Sequence, residues 1–142
     1  MIEGYTGKLP VPTPGTQPFW DGTQAGKLVL PRCGDCGGWT YYPRPFCMHC
    51  FSWNVTWTRA SGHGTLHTFA INHLPAKGFE DVGKPVIAVV ELEEGPRMIT
   101  NLMIEGEPDP DAIPLDAPVE VTFRAVTPGI TLPWFRLVRG GR

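Results

Sequence analysis

All four cysteines fall between positions 33 and 50, as two Cys-x2-Cys pairs: Cys33 with Cys36, then Cys47 with Cys50. Two thiolates at that spacing reach one ion from a single tight turn. Two such turns complete a tetrahedron, the arrangement of a closed structural Zn2+ site with one ion per chain. Gly34, Gly37 and Gly38 beside the first pair suit such a turn, because glycine takes positive backbone angles without steric cost. Iron in a rubredoxin-like site satisfies the same spacing. Disulfides or redox thiols are the other chemistries open to four cysteines. The N-terminus has Glu3 and Gly4 where a secretory leader would place basic residues and then an apolar run, so metal is expected rather than bridges.

Beyond the cysteines little is arranged for catalysis. Ser52 and Ser61 are the only serines, and neither stands in a nucleophile elbow. Committing four thiolates to metal leaves no cysteine nucleophile. His49, inside the second pair, is expected to pack or to hydrogen-bond near the thiolates. His63 and His67 are four apart on a turn and strand, hence on one face, and with His73 they complete the candidate acids and bases. Glu93 and Glu94 read as a solvated hairpin turn. Gly37-Gly38 and the turn from Ser61 to Gly64 lack the frames that cradle phosphates. No catalytic residue is assigned.

The chain has 142 residues, a 42% hydrophobic content and a formal charge of −2, which allows one ordinary core plus a small appendage. That balance argues against a nucleic-acid partner, whose phosphates call for a basic protein. Residues 1–60 hold five basic against three acidic residues, a net of +2, which leaves −4 for the rest, so an anionic ligand is expected to prefer the first half. No run approaches the roughly 20 apolar residues of a membrane span. A cytoplasmic protein without a membrane partner is expected. The 17 Gly and 16 Pro favour turns and short strands over long helices.

These features must be positioned by a few short elements. Pro10, Pro12 and Pro14 make residues 1–15 an extended arm that either dangles or lies on a partner. Thr16 as cap, Pro18 in the first turn and Gly26 as stop predict a helix over Gln17 to Ala25, carrying Phe19 and Trp20. These rings either pack on the metal knuckles or form a binding surface near Lys27. Leu28 to Leu30 and Trp39 to Tyr42 read as ribbon strands. Pro43 and Pro45 hold Arg44 on a stiff loop, where it is either solvated or touches a ligand phosphate or a partner carboxylate. Further strands are expected over Val55 to Ala60, Thr65 to Ile71, the apolar run Val86 to Val90 as a central buried strand, Arg97 to Ile104, Val119 to Arg124 and Leu132 to Val138. The glycines around His63 permit a bulge or bend, and Leu74 to Gly83 reads as a loop with an exposed Phe79. The expected fold is mainly β: an N-terminal helix and rubredoxin-like zinc ribbon over 16–53, then a five- to six-stranded OB-fold-like barrel over 54–142. An open five-stranded sheet or a small sandwich satisfies the same strand count.

The order Phe19-Trp20, Gly26-Lys27-Leu28, Pro31-Arg32-Cys33, Tyr42-Pro43-Arg44, then Ser61 to Leu66 and Glu91 to Arg97 resembles the zinc-ribbon-plus-OB-fold, acyl-CoA-associated protein family. The resemblance covers about Thr16 to Val138, and the helix and Gly-x-Gly-Thr-Leu strand make it more specific than the cysteines alone. It implies a non-catalytic accessory subunit of a thiolase-superfamily enzyme (thiolase or aldolase), in a hetero-oligomer acting in lipid or sterol side-chain metabolism. It also implies that ribbon and helix help bind or cover acyl-CoA, with Phe19, Trp20, Lys27, Arg32 and Arg44 as the CoA- or partner-binding residues. Family members often carry Arg where this chain has His63, which weakens a phosphate contact there. The alternative is a single-stranded nucleic-acid-binding module, since ribbons and OB-folds both serve that purpose.

Overall fold

The structure, a computed structural model, describes residues 2–74 and 77–138. Met1 of the expected arm, Pro75 and Ala76 of the expected loop and the last four residues of the 54–142 segment lie outside the described residues. In chain order come α1 (Gln17–Gln24), β1 (Val29–Cys33), β2 (Val55–Arg59), β3 (His63–Ile71), β4 (Val86–Leu92), β5 (Arg97–Met103), a single 3-10 turn (Pro110–Ala112), β6 (Pro118–Thr127) and β7 (Ile130–Leu137). β1 and β2 form a two-stranded antiparallel sheet, and β3-β4-β5-β7-β6 close into a barrel. The closing contact pairs His63 with Glu120 and Thr65 with Pro118. A closed five-stranded barrel behind a helix and ribbon is the OB-type architecture expected.

Pro18 lies in the first turn of α1, and Gly26 at φ +74° ends the helix in the left-handed region that glycine favours. Thr16 takes the cap position without capping through its side chain. Its Oγ1 instead accepts from the Thr13 amide at 2.9 Å, tying the helix start to the preceding arm. Phe19 and Trp20 are 1% and 7% exposed, so neither presents a binding surface on this chain. The helix packs on β1 and β7. There the two rings meet edge to face at 4.8 Å, and Phe19 also meets Tyr41 and Tyr42 at 6.1 and 5.9 Å. Burial of large aromatics in this wedge joins helix, ribbon and barrel: Phe19, Leu28 and Leu30 share one cluster with Leu66, Val90, Met98 and Phe135.

The ribbon differs from its expected pairing. The predicted strand from Trp39 to Tyr42 reduces to one bridge between Trp39 and Arg32, because its tyrosines turn into the Phe19 cluster and Pro43 and Pro45 follow. β1 pairs instead with β2, in register from Val29 opposite Arg59 to Cys33 opposite Val55. β2 was expected to open the barrel domain, yet it pairs in the ribbon sheet.

Other differences follow from barrel geometry. The apolar run in β4 alternates between buried and exposed, and Ile87 remains 43% exposed, because an antiparallel barrel strand has only one inner face. The β3 bulge falls between Leu66 and Thr68, at His67, beyond the glycines. Phe79 is not exposed on its loop. It stacks on Trp134 at 5.9 Å, while Arg124 lies 4.4 Å over the same ring and donates to Gly78 O at 2.7 Å and Asp81 Oδ1 at 2.9 Å. The N-terminal arm lies on this same loop, where a Cβ on Gly78 would come within 2.7 Å of Gly7 Cα. The Glu93-Glu94 turn is only partly solvated, since Glu94 accepts from the Ser61 amide at 2.6 Å and ties the barrel hairpin to the ribbon exit.

A core shared in this way makes unfolding a single event. Phe19→Ala is expected to cost about 3–5 kcal/mol, as for large aromatic truncations elsewhere. Far-UV circular dichroism and near-UV signals from the barrel should lose structure in one coincident transition at lower denaturant.

Candidate metal centre

The four sulfurs converge although their elements differ. Cys33 ends β1, Cys36 closes the first knuckle, and Cys47 and Cys50 frame the second. All four Sγ atoms lie within 4.8 Å of one another, and this is the only such group of three or more metal-ligating side chains among the described residues. Cys33–Cys50 and Cys36–Cys47 are each 3.6 Å apart, and all four cysteines are free rather than bridged. A tetrahedral ion bonded at about 2.3 Å to sulfur sets an edge of about 3.8 Å, so the set fits such an ion.

The knuckles repeat one design. In the first, the Asp35 and Cys36 amides donate to Cys33 Sγ at 3.3 and 3.4 Å. In the second, the His49 and Cys50 amides donate to Cys47 Sγ at 3.3 and 3.5 Å. These donors favour thiolate over thiol. The Cys36 amide, with that of Asp35, brings Cys33 down to about 6, against the opposing effect of burial. Cys47 is lowered in the same way by the Cys50 and then the His49 amide. The residue after each pair donates its amide back to the first cysteine's carbonyl, Gly37 to Cys33 at 3.0 Å and Phe51 to Cys47 at 2.9 Å, and both have positive φ, +77° and +63°. Glycine takes this conformation freely, whereas a bulky side chain is strained there by about 1–2 kcal/mol.

Side-chain bonds brace the frame. Asp35 accepts from Ser52 Oγ and from Asn54 Nδ2 at 3.1 Å, which links the knuckles and, in that order, lowers its carboxyl below the usual range. His49 Nε2 donates to the Trp39 carbonyl at 2.9 Å, the hydrogen-bonding part expected of it. His63 and His67 are exposed on β3.

The predicted binding residues separate. Phe19 and Trp20 are core, whereas Lys27, Arg32 and Arg44 are exposed. Arg32 lies 5.5 Å over the Trp39 ring and lines a shallow cleft of about 300 Å³ with Thr56 and Thr58. Lys27 and Arg44 are not among the residues lining that cleft. Sequence patterning does not single out Phe46, Phe51 and Trp53, which cluster on the second knuckle. Superposing one Cys-x2-Cys pair on the other does, because Phe51 stands where the first knuckle has Gly37.

Two family models divide the chain between them: the ChsH2 rubredoxin-like zinc ribbon domain matches residues 20–56, and the ChsH2 C-terminal OB-fold domain residues 57–124. A DUF35 domain-containing scaffold protein of Methanothermobacter thermautotrophicus is 32% identical over 72% of this chain and 76% of its own length. The chain belongs to the ChsH2 (DUF35) family. Within that family, a solved structure described as the Ltp2-ChsH2(DUF35) aldolase matches with a TM-score of 0.77 and 32% identity, covering 91% of this chain and 98% of that one. A probable enoyl-CoA hydratase alpha subunit of Thermomonospora curvata is 36% identical over 83% of this chain. The chain spans only 36% of that subunit's length. No helix among the described residues is long and apolar enough to cross a membrane.

Metal uptake by thiols must release protons, and lowering the pH returns them. Cys33 has its folded-state value depressed to about 6, so its thiolate is present above that value and is lost as pH falls through it. Cys36 and Cys50 are held up instead, Cys50 to about 12, where against the Ser52 amide Cys33 and Cys47 as neighbouring hydrogen-bond partners favour its thiol. Both must therefore give up protons to metal even at neutral pH. Zinc affinity of the metal-free chain, measured with a chelator indicator, is expected to fall as pH drops through neutrality and more steeply below about pH 6, where Cys33 also protonates. Cys36→Ser should reduce the metal content of the purified chain below one ion, as read by elemental analysis.

Proposed function

We propose that the chain is a zinc-stabilised, non-catalytic accessory subunit of a thiolase-like aldolase or related acyl-CoA enzyme, and that its ribbon helps hold the CoA moiety. The observation that carries the reading is the likeness, over 91% of the chain, to the ChsH2(DUF35) chain of an aldolase assembly. The names of relatives such as the enoyl-CoA hydratase alpha subunit support a CoA thioester as the ligand class.

The distribution of charge supports it independently. On the barrel, Lys84, Arg97, Arg124 and Arg136 are paired with Glu107, Glu91, Asp81 and Glu120. On the ribbon side, Lys27, Arg32 and Arg44 make no ion pair with any described residue. Cations held in the open without a carboxylate are available to phosphates or to a partner's acidic groups. Arg32 is the one placed for a phosphate, because Trp39 beneath its guanidinium restricts it and Thr56 stands opposite it in the strand pair. The four cysteines take zinc as scaffold, which sets the face on which these cations stand. Sterol side-chain or other lipid acyl groups would enter through the enzyme subunit, which performs the carbon–carbon bond chemistry.

Pull-down from native cells with the tagged chain is expected to retain a thiolase-superfamily subunit, and the assembled complex to bind CoA. Arg32→Ala in that complex should weaken CoA binding at least about tenfold with zinc content unchanged, since a charge-assisted contact is worth about 1.5–3 kcal/mol. An enzyme subunit fully active and soluble alone, or a salt-sensitive shift of a single-stranded oligonucleotide in place of CoA retention, would overturn the reading.

A further inference from the structure

The second knuckle holds an expensive residue in an exposed place. Phe51 occupies the position equivalent to Gly37, with the same amide bond to the first cysteine's carbonyl and the same positive φ, yet it carries a ring that is 68% exposed. The turn calls for glycine, and no core rewards the phenylalanine. Space is not the reason either, since nothing lies within 4 Å of a Cβ built at Gly37. The ring is part of a group: Phe46 packs between Phe51 at 6.4 Å and Trp53 at 5.5 Å. Trp53 is 73% exposed, and Met48 on the same knuckle is 46% exposed.

We infer that this aromatic face is where the enzyme subunit docks, receiving Phe51 and Trp53 in an apolar recess whose border bears a carboxylate for Arg44. The inference rests on the accessory-subunit reading above. The two exposed rings offer about 300 Å² of surface, roughly a third of the ~800 Å² that each side of a stable interface buries. That is the size of an interface centre, and tryptophan and arginine are the residues that dominate such centres. Arg44, two residues before Phe46, is exposed and makes no ion pair with any described residue, so charge complementarity asks for an acidic border. A second copy of the chain fits poorly, because a two-fold contact presents the same patch from both sides and so brings two Arg44 guanidinium groups into one interface without the acidic border each calls for.

The tagged wild-type chain is first used to co-purify and identify its enzyme subunit. That subunit is then titrated calorimetrically with wild type, Phe51→Gly and Trp53→Ser, each checked for zinc content and melting temperature. Both variants are expected to keep zinc and to bind at least tenfold more weakly. Phe51→Gly should melt at or above the wild-type temperature, since the turn is relieved. Unchanged affinity in both variants overturns the docking face while the accessory reading stands. Retention of no enzyme subunit by the wild type overturns both. Loss of zinc or earlier melting in Phe51→Gly makes the ring structural and overturns the assignment, as does a wild-type dimer in sedimentation that Phe51→Gly dissociates.

Discussion

A ribbon of two five-residue strands cannot bury enough apolar surface to hold itself together, and the molecule is arranged around that deficit. Two devices meet it. The knuckles bring four sulfurs within 4.8 Å of one another, so that metal binding becomes folding energy for the ribbon. The helix supplies the other, because Phe19 fills the space between the ribbon tyrosines and the barrel. The ribbon is thereby rooted in the barrel's core at one end and pinned by thiolates at the other.

That arrangement leaves cations and aromatic rings of the ribbon exposed. Lys84, Arg97, Arg124 and Arg136 of the barrel are neutralised within the chain, whereas Lys27, Arg32 and Arg44 on the ribbon side make no ion pair with any described residue. The most exposed rings also stand on the ribbon, at the knuckle opposite the one built from glycines. A positive φ at a phenylalanine is tolerated because the metal frame over-determines the turn. Stability and the proposed recognition are thus carried by different residues of one ribbon, buried Phe19 and the cysteines for the first, exposed Phe51, Trp53 and Arg32 for the second.

The barrel contributes the rigid base. Its closure through β3 and β6 gives every barrel strand a neighbour on both sides, and Arg124 with the Phe79–Trp134 stack holds the long β3–β4 loop against it. Tyr5 and Gly7 of the N-terminal arm lie against that loop, whereas Val11 between the prolines is 82% exposed.

Much of this was legible in the residues themselves. The cysteine spacing specified the knuckles, Pro18 and Gly26 bounded the helix, and alternating apolar residues marked the barrel strands, because each signal is local and acts through backbone preference or period. Partner choice was not legible. That β2 pairs with β1, that Trp39 to Tyr42 forms no strand, and that Phe19 and Trp20 are core depends on which surfaces meet across long separations, and apolar residues carry no address. For the same reason Phe79 and Phe51 look alike in sequence, yet one stacks on Trp134 and the other stands in the open. The sequence by itself determined the metal ligands and the class of fold, since both follow from short-range chemistry. Only the tertiary structure decided which aromatics are interior and which cations are left unpaired, since both depend on what the folded chain brings against them.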